Sequence, residues 1–173
     1  MNKAVQYLLC GLPFSGKTTL GKALEKQLGW VHINLDDIKA DKGYGGVSDD
    51  DVPDAAWPTI FAEADQRLLV ALKSGKNVAN ETAWVTRQWR DRARAVATKA
   101  GFTTKVIYLK VPEEIAKKRQ KENRRHQLRY DTRDSEFSGY VQEFEKPVDE
   151  EDVIVYDPAI PVEEWIKTIL ISS

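Results

Sequence analysis

"AVQYLLCGLPFSGKTTLGKALEKQLG", residues 4–29, decides the fold. Residues 4–10 are a short apolar run stopped by Gly11, as in a buried strand. Residues 17–28 space Leu20, Leu24 and Leu28 along one helical face, and Gly29 follows as a stop. Between strand and helix lies Gly11-Leu12-Pro13-Phe14-Ser15-Gly16-Lys17-Thr18, which fits G-x-x-x-x-G-K-[ST] at every fixed position. The glycines let the backbone turn so that successive N–H groups point inward at phosphate oxygens. The following helix adds its positive N-terminal end. Lys17 reaches the terminal phosphates, and the Thr18 hydroxyl can ligate Mg²⁺. The stretch Gly11 to Thr19 is therefore expected to bind a nucleotide, with ATP and Mg²⁺ as its ligands.

Working outward, strands and helices alternate. Strands are expected over 4–10, 30–35, 77–82, 104–111 and 152–157. Helices are expected over 17–28, 56–73, from Thr86 as N-cap to Gly101, from Pro112 into 117–133, around 135–145, and over 161–171. Residues 39–54, rich in Gly and Asp, read as a loop. Strands joined by helical crossovers imply a parallel five-stranded α/β sheet with helices on both faces. Ligands bind beyond the carboxyl ends of such strands. Gly11, Asp36 and Glu81 each fall at or just past one.

The rest of the composition narrows the class. A chain of 173 residues fits one domain, here taken as 1–173. The net charge of −1 supplies no global field toward nucleic acid or membrane. The single cysteine, Cys10, precludes an internal disulfide and fits a reducing compartment. The N-terminal apolar run is too short for a signal peptide or a membrane span, so a cytoplasmic protein is expected.

Phosphoryl transfer needs an acceptor oxygen positioned near the γ-phosphate and relieved of its proton. "INLDDIK", residues 33–39, places Asp36 and Asp37 just past the second strand, where a carboxylate can do this. "NVANET", residues 77–82, ends the third strand with Glu81, whose carboxylate can meet Mg²⁺ waters or the acceptor. "KKRQKENRRHQLRYDTR", residues 117–133, is open to three readings: a solvated helix face, a nucleic-acid patch, or a lid whose guanidiniums close over the transferring phosphoryl group. His32 reads as a packed, hydrogen-bonded strand residue and Cys10 as a small buried hydrophobe. Trp84 lies on the loop where an acceptor should approach. It either stacks on the acceptor or packs the loop.

These stretches resemble the small P-loop kinases of the group that holds the polynucleotide 5′-hydroxyl kinases, the chloramphenicol phosphotransferases and the zeta toxins. The resemblance rests on "GLPFSGKTTL", "NLDDIK", "NETAWVTRQWR", "VPEEIAKKR" and "FEKP" and covers nearly the whole chain. It implies a nucleoside-monophosphate-kinase-like P-loop fold with an Arg-rich lid near 117–135. It makes Asp36 the general base and Asp37 a structural residue of a short helix. Lys39 matches a basic acceptor-binding position of the polynucleotide kinases. The group usually has Asp-Thr on the third strand, so either Glu81 replaces the acid or Asn80 is the aligned residue. Arg119 matches a lid arginine. The next falls on Asn123, which leaves Arg124 or Arg125, with Arg129 and Arg133 further candidates. "YDPAIP", residues 156–161, follows the strand where related kinases hold adenine.

The expected function is transfer of the ATP γ-phosphate to a hydroxyl, with small-molecule acceptors ahead of polynucleotide 5′ ends. The alternatives are a nucleotide-dependent switch or ATPase and a toxin-like kinase of nucleotide sugars.

Overall fold

The computed structural model describes residues 3–82, 84–126, 132–148 and 151–167. The apolar run after Ala4 forms β1 (Val5–Cys10), and the phosphate-loop sequence leads directly into α1 (Lys17–Leu28). Gly29 caps α1 in the left-handed conformation, φ 67°, where its N–H bonds the Glu25 carbonyl.

The chain continues through β2 (Val31–Asn34), α2 (Leu35–Lys39), α3 (Trp57–Lys73) and β3 (Val78–Glu81). It then forms α4 (Arg87–Lys99), β4 (Thr103–Leu109), α5 (Glu113–His126), α6 (Asp134–Glu143), β5 (Val153–Tyr156) and α7 (Val162–Trp165). The strands make one parallel sheet in the order β2-β3-β1-β4-β5. β1, which feeds the phosphate loop, is its centre.

One core packs α3 and α4 against one face through Ile60, Leu68, Leu72, Val78 and Ala97. A second packs α1 and α7 against the other through Leu9, Leu20, Leu24, Ile107 and Trp165. A buried polar chain crosses the three central strands. Asn80 Nδ2 donates to Gln6 Oε1 at 2.9 Å, and Gln6 Nε2 donates to Thr104 Oγ1 at 2.8 Å. Such a chain fixes strand register, because a shift would bury these amides unpaired.

Several expectations are corrected. The second strand ends at Asn34, one residue short of Leu35, because the Asn34 side chain accepts the Asp36 N–H and starts α2. Asp37 lies in the first turn of that short helix, the structural place expected of it. The 39–54 loop is largely helical turns, at Ala40–Tyr44, Asp49–Asp51 and Asp54–Ala56. The basic stretch is not one helix to residue 133. α5 is described to His126, and Arg133 instead caps α6. Thr86 caps α4 as expected, accepting the Trp89 N–H. Arg129, and residues 168–171 of the last expected helix, lie outside the described residues.

Candidate active site

Gly11 to Thr18 close on the carboxyl end of β1. Gly11 has no room for a side chain: a Cβ there would sit 2.8 Å from Ser15 Oγ and 3.0 Å from the Leu109 carbonyl. Gly16 adopts φ 101° and Phe14 φ 63°, so the loop is held in left-handed backbone at two points. Phe14 accepts that strain with its ring buried against Val111, Ala116 and Phe137. Lys17 Nζ lies over the turn, donating to the Gly11 and Leu12 carbonyls at 2.9 Å each. Ser15 Oγ is buried with no hydrogen-bond partner. A close-approach glycine, an orphaned hydroxyl and a lysine folded over the turn together fit a phosphate chain.

Thr18, at the second position of α1, meets the third strand. Its Oγ1 donates to Glu81 Oε1 at 2.7 Å, and Glu81 Oε2 bonds His32 Nε2 at 2.8 Å. Asn34 Nδ2 approaches the same Oε2 at 3.5 Å. Consecutive strand residues face opposite ways. Asn80 therefore points to the Gln6 side, and Glu81 is the third-strand residue that reaches the phosphate loop. Burial pushes the Glu81 carboxyl up, but the His32 bond, the Lys17 charge and the Thr18 bond outweigh it and leave it below the usual value. Thr18 and Glu81 offer oxygen donors only, which suits Mg²⁺.

His32 was legible as a packed strand residue, with a side chain only 5% exposed. Its bond to Glu81 was not legible. The signal was Gly21, since a Cβ there would fall 2.3 Å from His32 Nε2. The helix gives up a side chain to seat this ring.

Two clefts flank the phosphate loop. The first is lined by Phe14, Gly16, Thr19, Arg119, Arg125 and Tyr156 among others. Arg119 Nη1 donates to the Phe14 and Ser15 carbonyls at 3.2 and 3.3 Å. Arg125 lines this cleft, while Arg124 bonds Asp134 at 3.0 Å on the surface. Asn123 is buried in α5. Pro158 of "YDPAIP" joins Tyr156 in the same wall.

The second cleft is lined by Gly11, Pro13, Lys17, Asp36, Glu81 and Trp84, together with Lys39, Asp49 and Tyr140. Asp36 is exposed in the first turn of α2, its Oδ1 3.7 Å from Lys39 Nζ. Lys39 itself is buried. It pairs with Asp49 and donates to the Val47 carbonyl at 3.1 Å. Trp84 is 4% exposed, and its indole N–H donates to the Asn80 carbonyl at 2.9 Å. It packs the loop while forming part of the cleft wall. Cys10 lies beneath it, its thiol pushed up to about 11, mainly by burial.

A parallel sheet with this order, a phosphate loop at its centre and paired clefts define a P-loop nucleotide-binding protein of the kinase type. Residues 7–147 match the AAA domain family, and the chain belongs to it. A gluconokinase from Sinorhizobium meliloti 1021 superposes with TM-score 0.65 at 22% identity, over 96% of this chain and 90% of that one. The APS kinase of Mycobacterium tuberculosis, solved with AMPPNP and APS, superposes with TM-score 0.70 at 14% identity, over all of both chains. A chain of the Pnkp1/Rnl/Hen1 RNA repair complex superposes with TM-score 0.68 at 20% identity, over 83% of this chain and 44% of that one. At these identities the likeness is one of fold, and that fold is shared with ATP-dependent phosphotransferases. No curated protein sequence matches. Among the described residues no helix is long and apolar enough to cross a membrane.

Proposed function

We propose that this protein moves the γ-phosphate of ATP to a hydroxyl of a small molecule. The observation that carries this reading is that Gly11, Lys17, Asp36 and Glu81 line one cleft, so phosphate loop and candidate base face a common space. The nucleotide occupies the neighbouring cleft, with its phosphates threaded along Gly11 to Thr19. Mg²⁺, when bound, neutralises charge on the β- and γ-phosphates. Thr18 and Glu81 are the residues that hold it.

Asp36 receives the proton of the acceptor hydroxyl. The new bond forms from that oxygen to the γ-phosphorus as the bond to the ADP oxygen breaks, and ADP leaves with the electron pair. Lys17 stays with the phosphates throughout. Arg119 and Arg125 stand beside the phosphate loop, where guanidinium groups balance charge on the transferring oxygens. His32 acts one step further out as a positioning residue that keeps Glu81 aimed at Thr18.

The test uses γ-labelled ATP and Mg²⁺ with a pooled panel of hydroxyl acceptors, and Lys17→Ala as control. Label in an acceptor, absent with the control, is the expected result. Label released only as free phosphate would transfer the assignment to a nucleotide-dependent switch.

A further inference from the structure

Asp36 reaches the acceptor cleft from the first turn of α2, with its side chain 83% exposed. An exposed carboxylate samples several rotamers, whereas a base must stay within hydrogen-bond reach of one oxygen. Lys39, one turn further along α2, has the opposite character. Its side chain is 6% exposed, and its Nζ lies 3.7 Å from Asp36 Oδ1. The ammonium also donates to Asp49 Oδ1 and, at 3.1 Å, to the Val47 carbonyl. It sits over the Trp57 ring, 5.9 Å from the centroid. A buried ammonium held this way is a fixed point charge. It biases the carboxylate three residues earlier toward one orientation.

Asp49 is held in turn from its other side. Its Oδ2 accepts the Tyr140 hydroxyl at 2.8 Å. Burial, then Asp49, keep the Tyr140 phenol above its ordinary value, so it remains a donor. Two further contacts fasten the same turn. Ser48 Oγ donates to Glu136 of α6, and Arg133, which caps α6, donates to Asp51 at 3.0 Å.

The same helix touches the phosphate side. Phe137, one turn before Tyr140, shares a buried cluster with Phe14, Val111 and Ala116. Thus α6 spans from the phosphate loop to the turn that holds Lys39.

We infer that Tyr140, Asp49 and Lys39 form a positioning chain for Asp36, braced by α6 against the phosphate loop. This rests on the kinase reading above. Lys39 is then a strut for the base and not an acceptor contact, and Asp49 and Tyr140 gain a role that no linear motif gives them. None of the three touches the reacting atoms. They hold the carboxylate where proton removal and in-line transfer coincide, and a misplacement of about 1 Å there can cost about 10²-fold.

The experiment takes the panel acceptor that gains label fastest and measures kcat and acceptor KM at saturating ATP. Tyr140→Phe keeps the ring and removes one hydrogen bond. It is expected to lower kcat about fivefold, with acceptor KM within about twofold of wild type. Asp49→Asn keeps the shape but loses the charge opposite Lys39, and should lower kcat about tenfold. ADP affinity should be unchanged in both. Tyr140→Phe is then combined with Asp36→Asn. A chain that works through Asp36 has little left to act on once that carboxylate is gone, so the Tyr140→Phe loss should shrink below about twofold. A loss that persists in full beside Asp36→Asn overturns the inference. So does a raised acceptor KM at unchanged kcat, which would make Tyr140 an acceptor contact, or a kcat that neither variant moves. Label in no acceptor while ATP still binds overturns the kinase reading itself, and this inference falls with it.

Discussion

The two sides of Lys17 are built in different ways. The phosphate side is one unbroken stretch, Gly11 to Thr19, and its working parts are chiefly backbone. The acceptor side is gathered from β2–α2, the Asp49–Asp51 turn, the loop after β3 and α6. Its working parts are side chains brought together only by the fold. A backbone cradle constrains residue type at fixed spacing, because only glycine fits where Gly11 meets Ser15 and Leu109. A side-chain wall imposes no spacing at all. The first kind of site can be read along the chain and the second cannot.

The largest break in this comparison comes from the residue at the seam. Asp36→Asn should lower phosphotransfer by about 10²–10⁴-fold, the usual loss for a general base. It should leave ADP affinity unchanged, since Asp36 lies on the acceptor side alone. Parallel measurement of turnover and ADP titration checks both halves. Undiminished transfer would move the base elsewhere in the wall.

The acceptor wall also depends on a buried pair behind it. Arg90 on α4 is fully buried and bonds Glu151 through Nε at 2.7 Å and Nη2 at 3.1 Å. Its Nη1 holds the Trp84 carbonyl at 3.1 Å, which fixes the loop that lines the cleft. Removing one partner of a buried pair costs about 3–5 kcal/mol. Glu151→Gln should therefore destabilise the fold by that order in chemical denaturation. Burial pushes the Glu151 carboxyl up, but the Arg90 bond, the Val148 N–H and the Arg90 and Arg87 charges leave it lowered. Its contribution is complete above the ordinary glutamate value of 4.5 and is lost as pH falls through the lower folded value. Wild-type stability should decline across that acid window, and the variant's profile should be flatter.

How much was legible follows the same division. The parallel sheet could be read because apolar runs alternate with helical spacing, whereas the central place of β1 could not, because strand order is set by pairings distant in sequence. The place of Asp36 and Glu81 at strand ends could be read too. That Glu81 rather than Asn80 faces Thr18 needed the register Asn34 to Glu81 across β2 and β3. Lys39 looked like a free acceptor-binding base. Its burial beside Asp49 depends on the 40–51 segment folding back, for which no periodic pattern exists. That Asp49 and Glu136 share one cleft wall was hidden because they are 87 residues apart in the chain.

A smaller effect tests the link between the two sides. Gly21→Ala would place a methyl 2.3–2.8 Å from three His32 ring atoms. Overpacking of this kind costs about 1–3 kcal/mol. The ring can yield only by leaving Glu81, so the Mg²⁺ concentration needed for half-maximal rate should rise more than the maximal rate falls. Gly21→Ala combined with His32→Ala should recover part of the stability, since the two residues share one space. It should not recover the Mg²⁺ response. Recovery of both would make His32 a packing residue only.

The smallest effect separates two neighbours that the sequence leaves equivalent. Arg124 and Arg125 are adjacent on α5, about 100° apart around the helix, so they cannot face the same cleft. Arg125 lines the nucleotide cleft with Arg119, whereas Arg124 reaches outward to Asp134. Exposed pairs of the latter kind contribute little to stability. Arg124→Ala should leave nucleotide affinity within about twofold of wild type, the scale of a surface contact. Arg125→Ala should weaken it about tenfold, as loss of one charge-assisted contact to phosphate does. Titration of a fluorescent ATP analogue against both variants checks the order. A reversed order would mean that α5 rotates on the nucleotide, and that the phosphate side is less preformed than its glycine turn.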